Sequence, residues 1–177
     1  RGPSLLSLAG KFADGVFIGG GLLSSEGMDY ARDRISIGAK SVNRDIANLD
    51  LRCFASLSIA SDADVALDGV TRHIATRVSN QANLEALQRG GASQKEIEHV
   101  TNLDLDSLTT KELRDEVPFS IIEQFVLCGT PEYCSERFHS FFESGITNFT
   151  IVARVNGENG RFKSLKLFSD MVLSPYF

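Results

Sequence analysis

The sequence lacks any excess of positive charge: 18 Lys and Arg stand against 23 Asp and Glu, for a formal net charge of -5. With an isoelectric point near 5.2, there is no basic field to attract phosphate backbones, which argues against a general nucleic-acid binder. No apolar run approaches the roughly 20 residues that a spanning helix needs, and the N-terminal region shows no basic stretch followed by an apolar segment and a cleavage site. A cytoplasmic protein with no membrane partner is therefore expected. Cysteine is scarce, and the odd set Cys53, Cys128 and Cys134 contains no CxxC pair, so neither a disulfide framework nor a structural metal site is expected. His73, His99 and His139 are dispersed, with no HExxH pattern, and no metal ligand set is expected from them either. Internal repeats and long Pro/Ser linkers are missing as well, which leaves one domain over 1–177. What is present is a chain of 177 residues with 42% apolar side chains, enough for a sizeable core.

Helical and strand periodicities alternate along the chain. Pro3 suits a first helical position, and Leu5, Leu8, Ala9 and Phe12 follow at helical spacing. Val16-Phe17-Ile18 reads as a short buried strand ending in Gly19-Gly20-Gly21. Ser24 or Ser25 can cap a helix carrying Met28, Ala31, Ile35 and Ala39 on one face. The stretch from Leu49 to Ala60 reads as a long strand, with Leu51, Cys53, Ala55, Leu57 and Ile59 on one parity. Asp62 and Asp64 open a third helical stretch with an apolar stripe at Val65, Ala66, Val70, Ile74 and Val78. About 83–118 is different in character, rich in acidic residues and short helix signals, and is expected to be a helical insertion. Phe119 to Val126 is read as helix, broken by Cys128-Gly129. Thr130-Pro131 then starts a helix through Phe138, Phe141 and Phe142, Ile146 to Val152 forms a strand, and Phe162 to Val172 a last helix. Three strands separated by helices imply parallel pairing through right-handed crossovers, an α/β protein. Three strands cannot close a barrel; the expectation is either part of a larger barrel or an open doubly wound sheet.

The best functional candidate is the turn Arg1-Gly2-Pro3-Ser4. A helix N-terminus exposes unpaired backbone N–H groups that bind a phosphate, glycine permits close approach, and Arg1 would add charge. An ordinary helix start is the plain alternative. Gly19 and Gly20, just beyond a strand, leave room for a planar ring or a phosphate tail, against the alternative of a flexible loop. The run is not the GxGxxG dinucleotide fingerprint. Ser58 and Ser61 end the long strand, where such residues more often satisfy local backbone than touch a substrate. Asp62 and Asp64 suit a helix start better than an acid and base pair. Cys128 and Cys134 are read as buried packing. No catalytic residue is assigned.

Two blocks carry a resemblance. Arg1-Gly2-Pro3 with Leu8-Ala9-Gly10 and Ala13-Asp14-Gly15-Val16 resembles a segment of the luciferase-like flavin and deazaflavin oxidoreductases. Gly129-Thr130-Pro131-Glu132, followed by Gly145-Ile146-Thr147, is similar to the segment leading into that family's last barrel strand. The nearest look is to the coenzyme F420-dependent branch that includes methylenetetrahydromethanopterin reductase. The resemblance implies the C-terminal part of a (β/α)8 barrel, running from the fifth helix to the eighth, with strands ending near Gly19, Ser61 and Val152 as the sixth, seventh and eighth. It further implies an oxidoreductase or monooxygenase using FMN or coenzyme F420 on a small organic substrate, with Arg1, Gly2, Pro3, Gly19 and Gly20 at the cofactor. On this reading the chain is a fragment without the barrel's first half. Its open strand edges favour a homo-oligomer, a dimer first. The rival is a non-catalytic half-barrel that associates with itself or completes a barrel with another chain.

Overall fold

The computed structural model describes residues 2–78, 80–154 and 158–176. Arg1, one of the sequence candidates, lies outside them. Helix α1 (Pro3–Phe12) leads into strand β1 (Gly15–Gly19), and helix α2 (Ser25–Lys40) leads into β2 (Asp50–Ile59). Seven further helices and two strands follow: α3 (Ala63–Asp68), α4 (Thr71–Val78), α5 (Gln81–Arg89), α6 (Gln94–Thr101), α7 (Thr110–Glu116), α8 (Phe119–Ile122), β3 (Val126–Gly129), α9 (Pro131–Glu143) and β4 (Asn148–Ala153). Helix α10 (Glu158–Leu167) passes into a π-helical turn at Phe168–Leu173.

The strands form one parallel sheet centred on β2. Register pairs Gly15–Gly19 with Asp50–Phe54, Val126–Gly129 with Ser56–Ile59, and Asn148–Ala153 with Arg52–Leu57. Each strand has only two hydrogen-bonding edges. Because β4 overlaps both β1 and β3 along β2, it must take one edge while β1 and β3 follow one another on the second. Val16, Leu57 and Ile151 thus sit on strands that are side-by-side neighbours, the arrangement a parallel α/β sheet requires.

Three local readings change. The stripe expected as one helix from Asp62 to Val78 is two, because the chain turns at Gly69 between α3 and α4. Phe119 to Val126 is not a continuous helix: α8 spans four residues, and Val126–Gly129 is a fourth strand. Its run of buried, apolar or small residues has no alternation to betray it, as is usual where both faces are covered. The last helix starts earlier than expected and loosens into the π turn.

Alternation decides the two faces of the sheet. Val16, Ile18, Leu51, Cys53 and Ala55 are buried under the helices, joined there by Leu6, Met28, Ile35 and Phe138. Phe17, Arg52, Phe54, Asn148 and Thr150 point to the other face and are exposed; Phe17 is 56% and Phe54 42% accessible. Toward the carboxyl ends this second face is covered: Ser58 is fully buried and donates to the Ala66 carbonyl at 2.6 Å. A second apolar core, with Ile74, Val78, Leu87, Val100, Ile121 and Phe125 among its members, ties α4–α8 together. The helices of the expected insertion thus share this core with α3, α4 and β3, and capping boxes at Ser93–Glu96 and Thr109–Glu112 start α6 and α7.

Candidate active site at the carboxyl end of the sheet

Two elements place the N-terminal turn of α1. Its middle packs on α2 with backbone almost touching backbone: a Cβ at Gly10 would lie 2.0 Å from the Ile35 oxygen, and one at Gly38 1.9 Å from the Ser7 oxygen. Its C-terminal carbonyls are held by Arg44, which donates to Gly10 at 3.3 Å, Lys11 at 3.0 Å and Ala13 at 2.8 Å. A guanidinium suits the negative end of the helix dipole. Since α1 returns along the sheet before β1 begins, its free N-terminus lies toward the carboxyl ends of the strands, the end that carries ligands in α/β sheets.

The Gly2 to Leu5 turn fits an anion by the chemistry of its donors. Gly2 is the N-cap in extended conformation with no side-chain cap, and Pro3 follows at the first helical position. The first helical bond is Leu6 N–H to the Gly2 carbonyl at 3.1 Å. The amides of Ser4 and Leu5 precede it and have no acceptor among the described residues, while a Cβ at Gly2 would meet nothing within 4 Å. First-turn amides beside open space are the donor set a phosphate uses.

Gly19 and Gly20 have different duties. A Cβ at Gly19 would lie 2.4 Å from the Phe54 oxygen, so glycine there permits the β1–β2 approach. Gly20 has φ +58° and Gly21 φ +95°, and together they turn the chain so that the amides of Gly21 and Leu23 both donate to the Gln124 carbonyl, at 2.9 and 3.1 Å. Gly21 is buried beneath Ala86 and Phe125, whereas Gly19 and Gly20 keep partial exposure at the rim. The turn is pinned further: Ser24 Oγ donates to the Gly90 carbonyl at 2.7 Å. Arg137 reaches across from α9 to the Leu23 carbonyl at 2.8 Å while pairing with the Glu123 carboxylate. Nothing in the spacing of Arg137 relative to Leu23 announces this tie, since the partner is a backbone carbonyl 114 positions away.

The remaining candidates are mostly structural. Asp62 caps α3 by accepting from the Asp64 amide at 2.9 Å, and Asp64 pairs with Arg114 at 3.3 Å. His99 sits 2.9 Å from Glu116, and His139 Nδ1 lies 3.1 Å from the Tyr176 hydroxyl. Cys53, Cys128 and Cys134 are buried free thiols; burial pushes Cys53 and Cys134 up to about 12 and Cys128 higher still. None is a ready nucleophile. Among the described residues, no group of three or more His, Cys, Asp or Glu is placed to hold a metal, and no helix is long and apolar enough to cross a membrane.

A parallel sheet with a glycine rim and a helix N-terminus toward its carboxyl end defines an α/β domain, and comparison with known proteins gives its family. The chain belongs to the luciferase-like monooxygenase family, whose model matches residues 1–148. It is 27% identical over 178 residues to 5,10-methylenetetrahydromethanopterin reductase of Methanolobus tindarius, covering 98% of this chain and 52% of that protein. With the reductase of the same name from Methanopyrus kandleri the figures are 25% over 179 residues, 100% and 49%. The solved structure of the coenzyme F420-dependent tetrahydromethanopterin reductase from Methanopyrus kandleri superposes with TM-score 0.78 at 23% identity, over 100% of this chain and 49% of that one. An F420-dependent secondary alcohol dehydrogenase in complex with an F420-acetone adduct gives 0.59 at 17%, over 97% and 46%. The chain spans about half the length of the curated relatives it matches.

Proposed function

We propose that this chain is the C-terminal half of a (β/α)8 barrel that binds coenzyme F420 or FMN and oxidises or reduces a small organic substrate. What supports the reading most is the first turn of α1: Gly2 caps it without a side chain, a Cβ there would meet nothing within 4 Å, and the amides of Ser4 and Leu5 precede the first helical bond. On this reading they hold the cofactor's phosphate, with Arg1 adding charge. The family membership and the names of the reductase relatives support F420; FMN stays open because both cofactors carry a phosphate on a ribityl chain. When bound, the flavin or deazaflavin supplies hydride chemistry, and the chain's own residues bind and orient it.

The sheet supports the half-barrel part of the reading. Its face bearing Phe17, Arg52, Phe54 and Thr150 lacks a covering layer toward the amino ends of the strands, and a parallel sheet is ordinarily covered on both sides. In a closed barrel those side chains fill the interior. The same exposed face favours the second reading, self-association, since a second copy would cover Phe17 and Phe54 equally well. Fluorescence titration of the chain with FMN and with F420 tests the first reading: saturable binding of either supports it, and binding of neither, together with a stable oligomer in sedimentation, favours the second.

A further inference from the structure

One buried hydroxyl has nothing to bond. Among the other buried hydroxyl side chains, Ser24 donates to the Gly90 carbonyl at 2.7 Å, Ser58 to Ala66 at 2.6 Å and Thr71 to Leu67 at 2.8 Å, while Ser164 accepts the Ile59 amide at 2.8 Å. Ser56, on the central strand β2, is 6% exposed, and its hydroxyl has no hydrogen-bond partner among the described residues. Unlike the unpartnered atoms of Tyr30 and Gln124, that hydroxyl is not sealed from solvent. A buried hydroxyl without a partner costs stability, and alanine would occupy the same place without that cost. Serine at this position therefore has its use in something outside the chain.

The neighbour of β2 changes at this residue. On one edge β1 pairs as far as Gly19, opposite Phe54, and β3 begins with Val126, opposite Ser56. On the second edge Val152 of β4 lies opposite. Strand β1 leaves the sheet here through the Gly20–Gly21 turn, and α/β sheets take ligands where adjoining strands part at their carboxyl ends. Alternation puts the Ser56 side chain on the face of Phe54 and Ser58, away from Cys53, Ala55 and Leu57 in the main core. Toward the carboxyl end that face closes over Ser58, fully buried, and toward the amino end it opens at Phe54, 42% exposed. Arg52, next on the same face, is neutralised by its pairing with Asp50. An uncovered aromatic ring with one neutral donor at its inner limit suits a flat heterocycle that carries a carbonyl. The geometry points to Ser56 as a ligand-contacting residue, its hydroxyl donating to a ring carbonyl of a planar heterocycle seated against Phe54. The assignment rests on the reading above, in which that heterocycle is the flavin or deazaflavin ring; Ser56 orients the ring and the Gly2 turn holds the phosphate.

Riboflavin is the first probe, because it carries the ring without the phosphate. Binding to the whole chain is followed by fluorescence, and the bound ring by its carbonyl bands in infrared difference spectra. Ser56→Ala should weaken riboflavin, FMN and F420 by the same factor, about fivefold for one neutral hydrogen bond. It should also move one ring carbonyl band to higher wavenumber, as loss of a donor does. Urea unfolding of ligand-free Ser56→Ala should show a midpoint no lower than the parent's, since no bond within the chain is removed; a purely structural serine would lower it. Ring binding as tight in Ser56→Ala as in the parent, a carbonyl band that stays in place, or a midpoint that falls overturns the assignment. The phosphate reading is scored separately: a loss shared by FMN and riboflavin reports Ser56, whereas the ratio of the two affinities reports the Gly2 turn. Either can fail while the other stands, and a chain that binds neither flavin nor F420 overturns both.

Discussion

A Cβ on Gly38 would stand 1.9 Å from the carbonyl oxygen of Ser7, so α2 and α1 meet backbone to backbone at that point. The contact is what fixes the free end of α1 relative to the sheet. Gly38→Ala has no flexible side chain to push aside and must separate the helices. Overpacking of this kind costs about 1–3 kcal/mol. Urea unfolding should show a lower midpoint with an unchanged slope, and any affinity for a phosphate-bearing ligand at Gly2 should fall with it.

Arg137 joins three parts of the chain: the Leu23 carbonyl after β1, the Glu123 carboxylate and carbonyl before β3, and the Tyr133 hydroxyl one turn back on α9. Arg137→Ala leaves the Glu123 carboxylate with the Tyr133 hydroxyl, at 3.2 Å, in place of its ion pair, and takes the guanidinium donor from the Leu23 carbonyl. Both side chains keep some solvent access, 15% and 29%, so the loss should be about 2 kcal/mol, under the value for fully buried pairs. A chemical denaturation curve measures it. Arg137→Lys should recover only part, because one ammonium cannot reach the same set of acceptors.

The buried thiols set an alkaline limit. Desolvation is the first cause of the raised Cys53, Cys128 and Cys134 values, so the folded state keeps the protonated thiol that the unfolded chain releases near 9. The sign follows: this contribution to stability is whole below about pH 9 and is lost as pH rises toward about 12. Thermal unfolding should weaken across that window, and Cys53→Ala should flatten part of the dependence. At neutral pH a thiol reagent should label native protein slowly and unfolded protein at once.

Much of this architecture was legible in the residues. Leu51, Cys53, Ala55, Leu57 and Ile59 alternate with Arg52 and Phe54 because one face of β2 is packed along its whole length. Thr130-Pro131 marked the start of α9 because capping is a local matter; Thr130 indeed accepts from the Tyr133 amide at 3.4 Å. Strand β3 was not legible. Val126 to Gly129 is too short and too uniformly buried for a period to appear, and its place beside Ser56–Ile59 is decided by the second core beneath it. The helix start at Gly2 and Pro3 was readable from local chemistry. The pinning of the Gly20–Gly21 turn by the Gln124 carbonyl depends on a contact far apart in sequence that no spacing rule reports.

The open face of the sheet gives a test of assembly. Phe17 faces Arg52 across β1 and β2, with the guanidinium carbon 5.7 Å from the ring centroid. Phe17→Asp should change the stability of the isolated chain by no more than about 0.5 kcal/mol, as for an exposed position. In sedimentation it should reduce any self-association that covers this face. A large loss of stability in a strictly monomeric chain would mean that the face is already covered within the chain.

Whether the Gly2–Pro3 turn anchors a phosphate is decided by paired titrations with FMN and riboflavin, which differ only in that group. FMN should bind at least about tenfold tighter, an advantage that Gly2→Val removes by filling the open space. Equal affinity for the two ligands, or an FMN advantage that survives Gly2→Val, would contradict a phosphate anchor there.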